Sequence, residues 1–151
     1  MKRPATLWLL VFLLVFLALG GFYGGISMLV DPSGRMLQMD GVLPLLPVPD
    51  YFLPGLFLLF VMGLFPILLT YGLIKQPVWS WADSLSTWSG HYWAWTGSVG
   101  VGVVLVLWLA VQAILIGFQW PIQYITLVNG VLIILVAIIP SVQKYFKRQS
   151  L

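Results

Sequence analysis

Cysteine and glutamate do not occur in this chain, histidine occurs once, and only 7% of its 151 positions carry a charged side chain. Without thiols there is no disulfide framework, no thiolate metal site and no thiol nucleophile. With four aspartates and one histidine, His91, a metal centre or an acid–base pair has little to draw on. No H-E-x-x-H, G-x-S-x-G or glycine-rich phosphate loop occurs, so no catalytic residue, metal ligand or cofactor site is assigned. Soluble domains carry charge on about a quarter of their residues. A hydrophobic share of 61%, an aromatic share of 15% and a mean hydropathy of +1.04 place this chain among membrane proteins. The pI near 9.4 does not imply nucleic acid, because the excess base lies at the two termini, where topology signals belong.

What is present in quantity is long apolar sequence. Four runs, 7–29, 52–74, 93–117 and 122–139, predict an all-α polytopic membrane protein, a four-transmembrane-helix bundle formed as one membrane domain. The first run follows Lys2 and Arg3 and fits either a signal peptide, with Ala18-Leu19-Gly20 as a weak cleavage site, or a spanning helix. Its continuation to Val30 favours an uncleaved helix. Gly20, Gly21, Gly24 and Gly25 form two overlapping G-x-x-x-G pairs, a close-approach face for packing within the chain or for dimerisation. Gly97 and Gly102 open a second such face on the third run. Pro66 is expected to free the carbonyl of Met62 and kink the second run. Residues 118–121 make a tight turn into the fourth, which Pro140 is expected to end, leaving a basic tail over 140–151.

The connections hold the polar chemistry. Residues 31–55 contain three of the four aspartates and five of the ten prolines. Asp31-Pro32-Ser33-Gly34 is a β-turn string, the loop over 31–50 is apolar enough to lie on the helix ends, and Asp50 can cap the second helix. Asp31, Asp40 and Asp50 together match no metal-ligand spacing. The 75–92 loop carries Trp79, Trp81 and Trp88, with Trp93 and Trp95 beyond, and predicts a short interfacial helix presenting Val78, Trp81, Ala82, Leu85 and Trp88 on one face. His91 is read as an interfacial hydrogen-bonding residue. A cytoplasmic N-terminus puts Lys2, Arg3, Lys75, Lys144, Lys147 and Arg148 on one side against Arg35 on the other. The positive-inside rule then makes both termini cytoplasmic, the 31–50 loop extracytoplasmic, and the address the cell (inner) membrane.

At depth the polar groups are amides. Gln112 and Asn129 fall at similar levels on an antiparallel hairpin, roughly 8 Å inside the surface at 1.5 Å per residue. They are expected to bond each other or to line a pocket with Tyr23 and Ser27 under the outer loop, to which Asp31 and Asp50 contribute as candidate ligand-binding residues.

Asp31-Pro32-Ser33-Gly34 with Met39, Pro49-Asp50-Tyr51 with Leu53-Pro54-Gly55, His91-Tyr92-Trp93-Ala94-Trp95, and Gln112, Gly117 and Asn129-Gly130 resemble an uncharacterised family of small four-helix bacterial integral membrane proteins. The likeness covers nearly the whole chain, although Gln38 stands where that family tends to have glycine. It implies a fold and a membrane address and no activity. The expected function is therefore non-enzymatic: an accessory or scaffold subunit packing against itself or a larger membrane partner. The alternative is a binder or carrier of a lipid or small apolar molecule. The expected partners are the lipid bilayer and a homo-oligomer or membrane protein partner, with no nucleic acid.

Overall fold

A computed structural model of the chain describes residues 2–148. It is all-helical, with α1 at Ala5–Val30, α2 at Phe52–Lys75, α3 at Ser80–Leu85, α4 at Trp93–Ile116, α5 at Pro121–Ala137 and α6 at Pro140–Phe146. Short 3-10 turns at Arg35–Leu37, Asp40–Leu45 and Thr87–Ser89 fill the loops. Helices α1, α2 and α4 are long and apolar enough to cross a membrane, and α5 with α6 makes a fourth if that bent pair is one span.

Each long helix is apolar on every side, so its inward face is chosen by shape. On α1, Leu7, Leu10, Leu14, Leu17, Gly21, Gly25 and Met28 recur at three- and four-residue steps and are buried, which forms a seam of the 3.5-residue type. Trp8, Phe12, Phe16, Leu19, Tyr23 and Ile26 fall on the other side and are exposed. The seam tightens toward α2. A Cβ on Gly21 would overlap the backbone of Met62 and come within 2.6 Å of the Gly63 nitrogen, and one on Gly25 would come within 2.7 Å of the Leu59 nitrogen. Gly24 faces only the Leu58 side chain, and Gly20 faces open space.

The stretch of α2 that receives this seam, Leu58–Leu64, is wound as a π-helix. The Phe65 N–H reaches back five residues to the Phe60 carbonyl, one turn ahead of Pro66. A proline inside a helix removes one N–H and crowds the turn before it, and a π-turn is a recognised way of absorbing such a misfit. The disturbance expected around Pro66 is therefore a wide turn that ends at Leu64.

The hairpin of α4 and α5 forms the other half of the bundle. Gly102 packs against Ile134 and the Gly130 carbonyl, Gly130 packs against Leu105, and a Cβ on Gly97 would overlap Leu69 of α2. Gly72, which sequence reasoning passed over, seats the ring of Trp93.

The fourth run departs from its expected form. Helix α5 has 17 residues, roughly 25 Å at 1.5 Å per residue, short of a hydrocarbon core of about 30 Å. Helix α5 stops at Ala137, just ahead of Pro140, and Pro140 then starts α6, turned 65° from α5. Lacking an N–H, Pro140 cannot serve the Val136 carbonyl, which accepts from Ile139 at 3.2 Å instead. The freed Ala137 carbonyl accepts the Trp95 indole N–H at 2.8 Å in a buried contact. The tail expected over 140–151 is thus helical to Phe146, while 149–151 lie outside the described residues.

The glycine contacts make a paired prediction. Gly21→Leu, placed against backbone that cannot yield, is expected to cost about 3 kcal/mol or more, whereas Gly20→Leu should stay within ~0.5 kcal/mol. Thermal unfolding of both variants in lipid discs measures this, and equal effects would contradict the assigned seam.

Candidate functional site

Polar side chains gather in three places. At the first, Asp31 accepts from the Ser33 hydroxyl at 2.6 Å and from the backbone N–H groups of Ser33 and Met36 at 3.2 and 2.9 Å. The Ser33 and Met36 bonds favour the ionised form and hold its carboxyl below the usual range. Tyr51 is 1% exposed, donates its hydroxyl to the Met39 carbonyl at 2.7 Å, and fits its ring against Gly34, whose φ of 81° suits glycine. Burial first, and the Asp40 charge second, raise its phenol. Gln38, where the resemblance leads one to expect glycine, takes a left-handed φ of 56°. Asp50 accepts from the Phe52 N–H at 2.9 Å at the start of α2. Both aspartates candidate for ligand binding thus use their carboxylates on nearby backbone.

The second place is the α4–α5 turn, where the expected pairing is replaced by another. Gln112 accepts from Gln123 Nε2 at 3.0 Å, and Gln123 Oε1 accepts from the backbone N–H groups of Gln119 and Trp120 at 2.7 and 3.0 Å. Gln123 is one helical turn into α5 and reaches the loop and α4 at once, whereas Asn129, nearly two turns deeper, reaches α1. Its Nδ2 meets the Leu13 carbonyl at 3.4 Å, and its buried Oδ1 has no partner among the described residues. Tyr23 points away from both, 71% exposed. Ser27 turns back on its own helix, donating to the Tyr23 carbonyl at 2.6 Å. The pocket formed by Tyr23, Gln112 and Asn129 is therefore not assembled.

The third place was largely missed in the sequence. Arg148 reads there as one more basic tail residue, yet its guanidinium reaches the Asp83 carboxylate and carbonyl, both at 2.9 Å, the Ser86 hydroxyl at 2.8 Å and the His91 carbonyl at 3.1 Å. Backbone bonds from Tyr92 to Phe146 and from Arg148 to Gly90, each 2.9 Å, lay the chain after α6 along the 90–92 loop. His91 stacks on Trp95 at 4.1 Å and donates Nδ1–H to the Ser89 carbonyl at 2.7 Å. The Tyr92 hydroxyl donates to the Pro77 carbonyl, and burial pushes its phenol up to about 12. On α3, Trp81 and Leu85 are exposed with the flanking Val78 and Trp88, but Ala82, assigned to the same face, turns inward and is buried. The only sequence signal for this knot was Asp83, the one acid assigned to the side that holds six of the seven Lys and Arg.

One surface feature lies outside these knots. Phe57 of α2 and Val104, Leu107, Trp108 and Val111 of α4 line an open apolar groove of about 220 Å³. Gly100 continues this row one turn earlier, and its Cβ position is free of contacts. Among the described residues no group of three or more histidine, cysteine or acidic side chains is placed to hold a metal.

Fold and site together define an all-helical protein with three or four helices long and apolar enough to cross a membrane. No protein-family model, curated protein or solved structure matches the chain, so its likeness to the four-helix bacterial family rests on the quoted residues alone.

Two predictions follow from the knots. Replacing Arg148 with Gln should loosen the tail by about 1–3 kcal/mol, the scale of a charge-assisted hydrogen-bond set left unmade. It should speed amide exchange at Tyr92 while that at Leu105 stays unchanged. For Asp31, the depressed carboxyl means its contribution is complete above the unfolded value of 3.8 and is lost as pH falls below it toward the folded value. Exchange at the Met36 amide should therefore accelerate at acid pH beyond its intrinsic dependence, and Asp31→Asn should remove that excess.

Proposed function

We propose that this chain is a non-enzymatic multi-pass protein of the bacterial cell (inner) membrane. In this reading it has four helical spans and cytoplasmic termini, and acts as an accessory or scaffold subunit against a larger membrane partner or a second copy. The apolar groove on α2 and α4 is the observation that carries the reading. The close-approach glycines Gly21, Gly25, Gly97 and Gly102 are occupied by the chain's own helices, so a partner helix has the groove and the open Gly100 position to approach. The asymmetry of basic and acidic residues between the two ends supports the orientation, and the quoted turn and loop motifs support kinship with the four-helix bacterial family.

A second reading, the binder of a lipid or small apolar molecule, draws support from the unpartnered Oδ1 of Asn129, because a buried acceptor in an apolar bundle is stabilised by a donor brought in from outside.

Extraction into native lipid discs followed by mass spectrometry of whole assemblies separates the two. A stoichiometric protein partner or a defined homo-oligomer, dispersed by Gly100→Leu without loss of the folded subunit, is the expected result. A monomer retaining one small molecule, released by Asn129→Leu, would replace the scaffold reading with the second.

A further inference from the structure

The fold brings together cationic side chains that are far apart in sequence. Arg3 Nη2 donates to the Ile74 carbonyl at 2.6 Å, which sets the segment before α1 against the end of α2 and beside Lys75. Thr6 bonds Ser141 at 2.8 Å, and Gln76 Nε2 donates to the Tyr145 hydroxyl at 3.1 Å, which brings α6 to the same end. Lys75 and Lys144 each directly adjoin a member of that last pair. Lys2, Arg3, Lys75, Lys144 and Lys147 are all exposed. The single acid at this end, Asp83, is taken by Arg148 in the one ion pair among the described residues. Among the described residues this end therefore carries five cations without a side-chain counter-charge, while the opposite end carries Asp31, Asp40 and Asp50 against Arg35.

Two further observations locate this charge relative to a bilayer. Helix α6 is turned 65° from α5, with Val142 and Phe146 buried against the bundle and Lys144 exposed. Beside it, Val78, Trp81, Leu85 and Trp88 stand exposed, from 61% for Trp81 to 86% for Val78. Tryptophan and aliphatic side chains beside lysines are the composition of a headgroup boundary, where rings sit among carbonyls and ammonium groups meet phosphates.

We propose that the face formed by Arg3, Lys75, Lys144 and Lys147 binds the headgroups of anionic phospholipids in the surrounding leaflet. Arg148 acts as a positioning residue: by neutralising Asp83 and holding the segment after α6, it keeps Lys144 and Lys147 on this face and removes the only side-chain carboxylate among the described residues at this end that would oppose a phosphate. The lipid is recognised by charge. A phosphodiester with a net negative headgroup is retained, and a zwitterionic one is not.

This inference rests on the chain being embedded in a bilayer and is independent of whether it acts as a scaffold or a binder. The test is reconstitution of the full chain into discs of equal phosphatidylglycerol and phosphatidylcholine, with the lipids that stay bound on extraction measured by native mass spectrometry. Wild type is expected to retain phosphatidylglycerol preferentially. The triple variant Lys75→Gln, Lys144→Gln, Lys147→Gln, whose exposed positions leave the core untouched, is expected to lose that preference by roughly fivefold for each lysine removed, given about 1 kcal/mol per basic residue at an anionic surface. Arg148→Gln should lower it partially, and raising the salt should lower it in wild type and leave the triple variant little changed. Failure to enter discs would reject the membrane reading itself. Entry with both lipids retained in their bulk ratio, or a preference unchanged in the triple variant, would overturn this proposal alone and leave the basic face to an acidic protein segment.

Discussion

The backbone-to-backbone contact between α1 and α2 is the constraint on which the rest of the bundle depends. Among apolar side chains in an apolar solvent, burial gives little preference for one helix face over another, and association relies on packing distance. Gly21 and Gly25 let α1 settle directly on the main chain of Met62 and Leu59. The receiving segment is the π-wound stretch of α2, so the widest turn in the structure coincides with its closest helix approach. With that contact made, α1 runs along α2 with Leu7, Leu10, Leu14 and Leu17 buried, and α5 reaches it where Asn129 meets the Leu13 carbonyl.

The two ends of the bundle are tied by different means. At the acidic end a single aromatic residue organises the loop: the buried Tyr51 fastens Met39 with its hydroxyl, Pro32 with its N–H, and Gly34 with its ring. At the basic end a guanidinium does this work, because Arg148 ties its own tail to Asp83 and Ser86 at the end of α3 and to His91 in the loop beyond. A phenol offers one directed bond and a large apolar body, which suits a loop lying on helix ends. A guanidinium offers several donors in a plane, which suits the convergence of loose carbonyls and a carboxylate.

Much of the helical plan was legible in the sequence. Runs of apolar residues longer than about 20 define spanning-length helices whatever their neighbours are, and Asp31-Pro32-Ser33-Gly34 and Asp50 act locally, through backbone within a few residues, so their roles could be read directly. The pairing of Gln112 with Asn129 could not be read correctly. The level itself was misjudged: Gln123, folded back over the turn, lies beside Gln112, and Asn129 lies nearly two helical turns deeper and meets α1. Tyr23 failed because Asn129 meets α1 at Leu13, ten residues away along the helix, and the Tyr23 side chain is exposed. Arg148 was hidden by its position in a run of bases, since charge counts register its sign and ignore its partner.

By itself, then, the sequence determined composition-driven properties: helices long enough to cross a bilayer, turns stopped by proline and glycine, and an excess of base at the two termini. These depend on local backbone preference and on summed transfer free energy, neither of which needs a partner. Only the tertiary structure decided which glycines are filled and which stay open, which amide meets which, where α5 gives way to α6, and that one arginine serves the fold while the neighbouring lysines remain free. Each of those outcomes turns on direction and distance between segments remote in the chain, and apolar residues spread around every helix leave that choice to shape.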